Sequence, residues 1–268
     1  MKKVIVPLDL SPENFKVFPY LKLFPKDETE FIFVHVWQTT FWSKQHELKL
    51  NNQELLDSLK NHSELQGLNI KTVWLESNQP VAITLNQLIT NEKADLVLMV
   101  VKQKDQLDKM ILGTEATKII QNSQIPILVV PRRIEKVQFL KSVFFTDASP
   151  ASIYAFGLLR PYLEFFQSEI KIVKVNTPSD FLSTREFLAY QNAIHEQTNQ
   201  VRYSFEIYSD YEVEKGILDY AFDYNIDLIV LATHGRKGLS LMLNGSVSEE
   251  IICASFKPVL LCKIPTSS

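Results

Sequence analysis

Cysteine is scarce in this chain of 268 residues: only Cys253 and Cys262 occur, close together and without metal-ligand spacing. A disulfide framework is excluded as an organising device, and a reducing cytoplasm is the expected compartment. Long apolar runs are missing too. None approaches the roughly 20 residues that span a membrane, and the start, MKKVIVPLD, reads as a first strand rather than a signal peptide. There is no excess of positive charge. The formal net charge is −3, with 17 Lys+Arg against 16 Asp+Glu up to residue 138 and 11 against 15 beyond it. Neither half has the basic balance of a nucleic-acid binder. Catalytic signatures are equally sparse: no Walker A lysine loop, no G-x-S-x-G elbow, no H-E-x-x-H and no metal-spaced His/Asp cluster. His35, His46, His62 and His195 are scattered and are expected in structural or surface roles.

What the chain does have is a repeat. Residues 3–8 (KVIVPL) form an apolar strand ending at Asp9, and Ser11-Pro12 offer an N-cap and a proline at the first helical position. Strands are predicted over 30–36, 70–75, 96–101 and 126–130. Helices are predicted after Ser11 (shortened or kinked by Pro19), between 37 and 66, over 80–91, and from Gly113-Thr114 to about Asn122. The same series then recurs. Asp147-Ala148-Ser149-Pro150 repeats Asp9-Leu10-Ser11-Pro12, and 169–175 and 202–208 repeat strands two and three. Asp227, Gly245 and Pro258 each stand 132 positions after Asp95, Gly113 and Pro126. Two tandem β/α domains follow, 1–138 and 139–268, joined near 132–141. Right-handed crossovers turn each into an open, five-stranded parallel sheet with helices on both faces. The fold class is thus α/β and Rossmann-like, and a ligand is expected beyond the carboxyl ends of strands one and four of each domain.

The stretch from Asp227 to Cys262 is the most informative. An apolar strand (228–232) runs into Thr233-His234-Gly235-Arg236-Lys237-Gly238, and Gly245-Ser246-Val247-Ser248-Glu249 opens a helix with the spacing of a capping box. Glycines let backbone N–H groups approach a phosphate, and a helix start adds partial positive charge. This spacing resembles the G-x2-G-x9-G-S/T loop of the universal stress protein family, whose nucleotide-binding members hold ATP there. Gly235, Gly245 and Ser246 match the pattern, while Ala232 replaces the first glycine. The resemblance covers nearly the whole chain twice. It implies a fold like that of the adenine nucleotide alpha hydrolases and pairing of the two domains through their fifth strands.

The resemblance further implies a nucleotide site in the second domain formed by Thr146, Asp147, Ala148, Val175, Leu231, Ala232, His234, Gly235, Gly245, Ser246, Val247 and Ser248. Asp147 would lie near adenine and ribose, Val175 would meet the base through its backbone, and the last four would hold phosphate. Each position also has a plain structural reading: Asp147 and Ser246 as caps, Val175 as core. The expected ligand is ATP or another adenine nucleotide, with or without Mg. The first domain departs from the pattern. Val100 and Gln103 replace the first two glycines, and Asp105 and Asp108 add negative charge, so its site is expected to be degenerate. The function implied is a cytoplasmic stress-response or signalling protein that binds a nucleotide, with at most slow, incidental ATP hydrolysis. The alternative is a nucleotide-free interaction protein of the same fold. A homodimer is expected through a face rich in Phe and Tyr around 156–166.

Overall fold

The structure is a computed structural model that describes residues 1–39, 46–100, 113–131, 137–198, 203–234 and 245–264. These fall into two compact units, Met1–Val137 and Gln138–Ser268.

In the first unit β1 (Lys3–Pro7) is followed by a 3-10 turn (Pro12–Val17), the single-turn helix α1 (Phe18–Leu21) and β2 (Glu30–Gln38). Then come α2 (His46–Ser58), β3 (Asn69–Ser77), α3 (Val81–Glu92), β4 (Leu96–Val100), α4 (Thr114–Asn122) and β5 (Ile127–Val130). The sheet order is β3-β2-β1-β4-β5, and every described pair is parallel. β4, with the sequence LVLMV, is buried throughout, as expected of a strand covered on both faces.

The second unit repeats this plan. It comprises β6 (Lys141–Thr146), α5 (Pro150–Phe165), β7 (Glu169–Asn176), α6 (Thr184–Thr198) and β8 (Ser204–Ser209). It ends with α7 (Val213–Asp223), β9 (Leu228–His234), α8 (Gly245–Ala254) and β10 (Val259–Ile264). The order is β10-β9-β6-β7-β8, again parallel in every described pair. α5 packs with α6 and α7 with α8, the two pairs expected when right-handed crossovers cover both faces of one sheet.

Two expectations need correction. The segment after Ser11 is not one kinked helix. It is a 3-10 turn and then α1, because Pro19 lacks an N–H and is tolerated only in a helix's first turn. Nor does Ser11 cap it. Its hydroxyl donates instead to Asp9 Oδ1 at 2.6 Å, whereas the matching Ser149 does cap α5 by accepting from the Ser152 N–H at 3.2 Å. Secondly, the 156–166 segment is not an exposed aromatic face. Phe156, Leu159 and Leu163 are fully buried in the core, leaving Tyr154 and Leu158 outside.

Two features shape the fork in each sheet. The landmark aspartates of the repeat act as clips at the opposite end. Asp95 Oδ2 accepts from the backbone N–H of Lys2 (2.6 Å) and Lys3 (2.9 Å), and Asp227 Oδ2 accepts from those of Leu140 and Lys141 (both 3.0 Å). Each ties the start of strand one to strand four. Beyond the clips the pairing is short. β1 registers with β4 only at Val4↔Leu96 and Ile5↔Val97, while it follows β2 for its whole length. Likewise β6 leaves β9 after Phe144↔Val230. Strands one and four therefore fork toward their carboxyl ends in both units.

Candidate functional site

The loop leaving strand one has the same backbone in both units. Leu10 (φ 61°) and Ala148 (φ 62°) are left-handed non-glycine residues directly after the aspartates. Each aspartate closes the turn with its own carboxylate: Ser11 N–H donates to Asp9 Oδ1 and Ser149 N–H to Asp147 Oδ1, both at 2.9 Å. Asp147 is half-buried, and its second oxygen makes no hydrogen bond among the described residues.

Behind the loop the units differ. In the second unit Thr146 is fully buried, and its hydroxyl joins Ser152 Oγ (2.8 Å), Tyr190 OH (2.7 Å) and the Ala148 N–H (2.9 Å). Burial, the larger effect, pushes the Tyr190 phenol up to about 12. Thr146 thus holds the loop from below. In the first unit the matching residue is Leu8, and Asn14 Oδ1 does the holding by accepting from the Asp9 N–H at 2.7 Å.

At the end of β7, Val175 is buried and packs against Gly216 of α7. Its carbonyl accepts from Lys174 Nζ at 2.8 Å. Lys174 has no exposed surface, and its ammonium pairs with Asp180 Oδ2 at 2.6 Å in the turn that follows β7. Sequence reasoning missed this lysine, although a charge inside the apolar run IKIVKV was a visible anomaly.

Leu231 (fully buried) and Ala232 (nearly so) end the apolar part of β9, and His234 is its last residue. Gly245 is the first residue of α8, and Ser246, Val247 and Ser248 lie in its first turn. A crossover helix runs antiparallel to its strands, so the α8 N-terminus lies at the carboxyl ends of β9 and β6, the end that carries the Asp147 loop. Gly235, Arg236 and Lys237 lie outside the described residues, as do Gln103, Asp105 and Asp108. Among the described residues no group of three His, Cys, Asp or Glu could hold a metal ion, and no helix is long and apolar enough to cross a membrane.

The first unit holds a cavity of about 410 Å³ at its fork. Pro7 at the end of β1 with Leu8 and Asp9 just after it, Val34 to Val36 of β2, and Met99 and Val100 of β4 border it, with Gly113 to Ala116 at the start of α4. His35, expected in a structural or surface role, lines it. Two further histidines pack against rings: the His62 ring meets Phe18 edge-on, and His195 meets Phe205.

Comparison with known proteins gives these arrangements a context. A full-length likeness exists to a universal stress protein from Archaeoglobus fulgidus, with TM-score 0.77, 20% identity, and 98% of this chain and 99% of that one covered. A functionally unknown protein from Pseudomonas aeruginosa aligns with TM-score 0.67 and 14% identity over 98% and 93% of the two chains. At such identities the likeness shows the fold alone. A universal stress protein of Methanocaldococcus jannaschii is 33% identical over 88 residues, or 32% of this chain, and the match spans about half the length of that relative (49%). The family model of the Universal stress protein family matches residues 1–131 and again 143–263. With almost its whole length accounted for by two such matches, the chain belongs to the universal stress protein family.

Proposed function

We propose that the second unit binds an adenine nucleotide and that the chain acts in stress response or signalling rather than as a catalyst. The observation that carries this reading is the meeting of two elements at one fork. The Asp147 loop leaves β6 there, and α8 begins there at Gly245, where no Cβ stands between backbone N–H groups and a phosphate. The residues fit the group in kind. Asp147 keeps one carboxylate oxygen to accept from a ribose hydroxyl, and the α8 start suits an anion. A bound nucleotide would supply the signal by its presence, and this chain's part is to orient it. The sites proposed remain Thr146, Asp147, Ala148, Val175, Leu231, Ala232, His234, Gly235, Gly245, Ser246, Val247 and Ser248, with Thr146 acting through the loop rather than on the ligand.

Titration calorimetry with ATP and ADP tests the reading. One site per chain is expected, lost in Gly245→Val and kept in Gly113→Val. Two equal sites, or a Gly245→Val chain that binds like the parent, would overturn it. One observation favours the nucleotide-free alternative: Lys174 already occupies the Val175 carbonyl that would meet the base. No heat with either nucleotide, and none co-purifying by mass spectrometry, would establish that alternative. A homodimer is proposed more narrowly, and light scattering that gives only the monomer mass at every concentration refutes it.

A further inference from the structure

Each unit has a groove between its last two helices, and the two grooves are coated differently. In the first unit Asn86, Gln87, Thr90 and Asn91 of α3 face Asn122 and Gln124 at the end of α4, with Ile83 as the apolar member. Asn86 Nδ2 donates across it to the Asn122 carbonyl at 3.2 Å. A coat of amides and a hydroxyl is an ordinary solvated surface. The matching positions of the second unit stand 132 residues later. There Asn86, Gln87, Thr90, Asn91 and Gln124 are replaced by Leu218, Asp219, Phe222, Asp223 and Phe256. α7 buries Gly216, Ile217, Tyr220 and Ala221 against the sheet, which turns Asp219, Phe222 and Asp223 outward. Phe222 is 79% exposed and Phe256 50%. One exposed phenylalanine is unremarkable, but two on one groove with a half-buried leucine form an apolar patch.

The charge around this patch selects its partner. α7 and α8 both end here, so the negative ends of two helix dipoles meet, and neither helix has a basic residue in its last turn. In the first unit Lys93 caps α3, whereas its match after α7 is Asn225. α7 instead ends on Asp223, which is exposed, and no ion pair reaches Asp223 or the exposed Glu250 of α8 among the described residues. Lys215 is held by Asp219 at 2.5 Å and Asp210 at 3.5 Å, and Lys257, next to Phe256, is half-buried. A carboxylate at a helix C-terminus weakens the helix until a cation comes to it from outside. The same acids repel nucleic acid and anionic lipid. We propose that the α7–α8 groove docks a basic amphipathic helix of another protein. Its apolar face meets Phe222 and Phe256, and its Lys or Arg side chains meet Asp219, Asp223 and the carbonyl end of α7. The groove lies at the end of the sheet where β9 begins, away from the Asp147 loop, so docking leaves the fork open.

The test uses the full chain and two fluorescein-labelled amphipathic peptides, one of leucine and lysine and one with glutamate in place of every lysine. Anisotropy of the lysine peptide is expected to saturate at one site per chain, and the glutamate peptide should bind at least about tenfold more weakly. Phe222→Ser and Phe256→Ser remove exposed rings, so circular dichroism should show an intact fold, while each lowers the affinity about tenfold or more. Asp223→Asn should weaken the lysine peptide about threefold and flatten its salt dependence. Tyr154→Ser, which removes a 52% exposed ring on α5, should bind like the parent. The proposal is overturned if the lysine peptide gives no saturable signal, or if both phenylalanine variants bind like the parent. It is overturned equally if the glutamate peptide binds as tightly, or if Tyr154→Ser weakens binding as much. A chain that sediments as a dimer and is split by Phe222→Ser would assign the face to a second copy. Neutral phosphatidylcholine vesicles that bind the parent but not Phe222→Ser would assign it to a lipid surface, and either result overturns the proposal.

Discussion

Gly216→Ala tests how tightly the second unit is assembled beneath its proposed base contact. Gly216 lies in α7, and a Cβ built there would sit 2.6 Å from Val175 Cγ1, 3.0 Å from Asp210 Cβ and 3.5 Å from Val175 Cγ2. Val175 cannot turn away, because its branched side chain would swing one methyl into the place of the other. Overpacking of this kind costs about 1–3 kcal/mol, and the better helix propensity of alanine returns about 1 kcal/mol. The net expectation is a loss of up to about 2 kcal/mol, a drop of up to roughly 7 °C in Tm for a unit of this size. Val175→Ala alone should cost about 2 kcal/mol for the methyls removed. The double variant should be more stable than the sum of the two by at least about 1 kcal/mol, since the new methyl fills the space vacated. Urea unfolding followed by circular dichroism reads the effect. Tryptophan fluorescence supplies an internal reference, because Trp37, Trp42 and Trp74 all belong to the first unit. Additivity within about 0.5 kcal/mol, or a Gly216→Ala chain more stable than the parent, refutes the reasoning.

Three further outcomes are expected. Ala148→Gly should stabilise the second unit by about 0.5–1 kcal/mol in the same assay, since a left-handed alanine costs more than the extra freedom of glycine in the unfolded chain; a loss of stability would contradict the left-handed loop. Asp227→Ala should destabilise by about 1–3 kcal/mol and speed amide exchange at Leu140 and Lys141, which lose their acceptor; unchanged exchange there would remove the clip. Alkali should weaken the fold. Burial lifts the phenols of Tyr20, Tyr190 and Tyr203 from 10.0 to about 12. Their folded pKa values exceed the unfolded ones, so the stability they confer is complete below about pH 10 and is lost as the pH rises toward 12. A urea midpoint flat across that window would refute this sign.

Much of the fold was legible because its signals are local or periodic. The apolar run LVLMV, the Ser149-Pro150 cap and the paired landmarks Asp95 and Asp227 each act within a few residues or recur at a fixed spacing. The aspartates were read only as markers of a repeat. That they clip two strands together depends on strands about 90 residues apart in the chain meeting side by side, which no local pattern states. The frame of the candidate site was legible in outline, since the loop aspartates follow strand one and a helix starts at Gly245, as the spacing implied. Its interior was not. Thr146 meets Tyr190 across 44 residues, and Lys174 turns back onto its neighbour's carbonyl. The first unit's cavity escaped notice because only the lost glycines and the added charge of Asp105 and Asp108 were weighed, and the His35 contact to the Leu8 carbonyl joins two strands that no local pattern places together.

The fork between strands one and four is a property of the scaffold. It exists because the pairing of β1 with β4 stops at Ile5↔Val97, and that of β6 with β9 at Phe144↔Val230, while the flanking pairs run on. Its opening is therefore made by backbone register and held at the far end by an aspartate. One framework carried twice can bear two different mouths, and 100–113 and 232–245 differ widely in sequence on it.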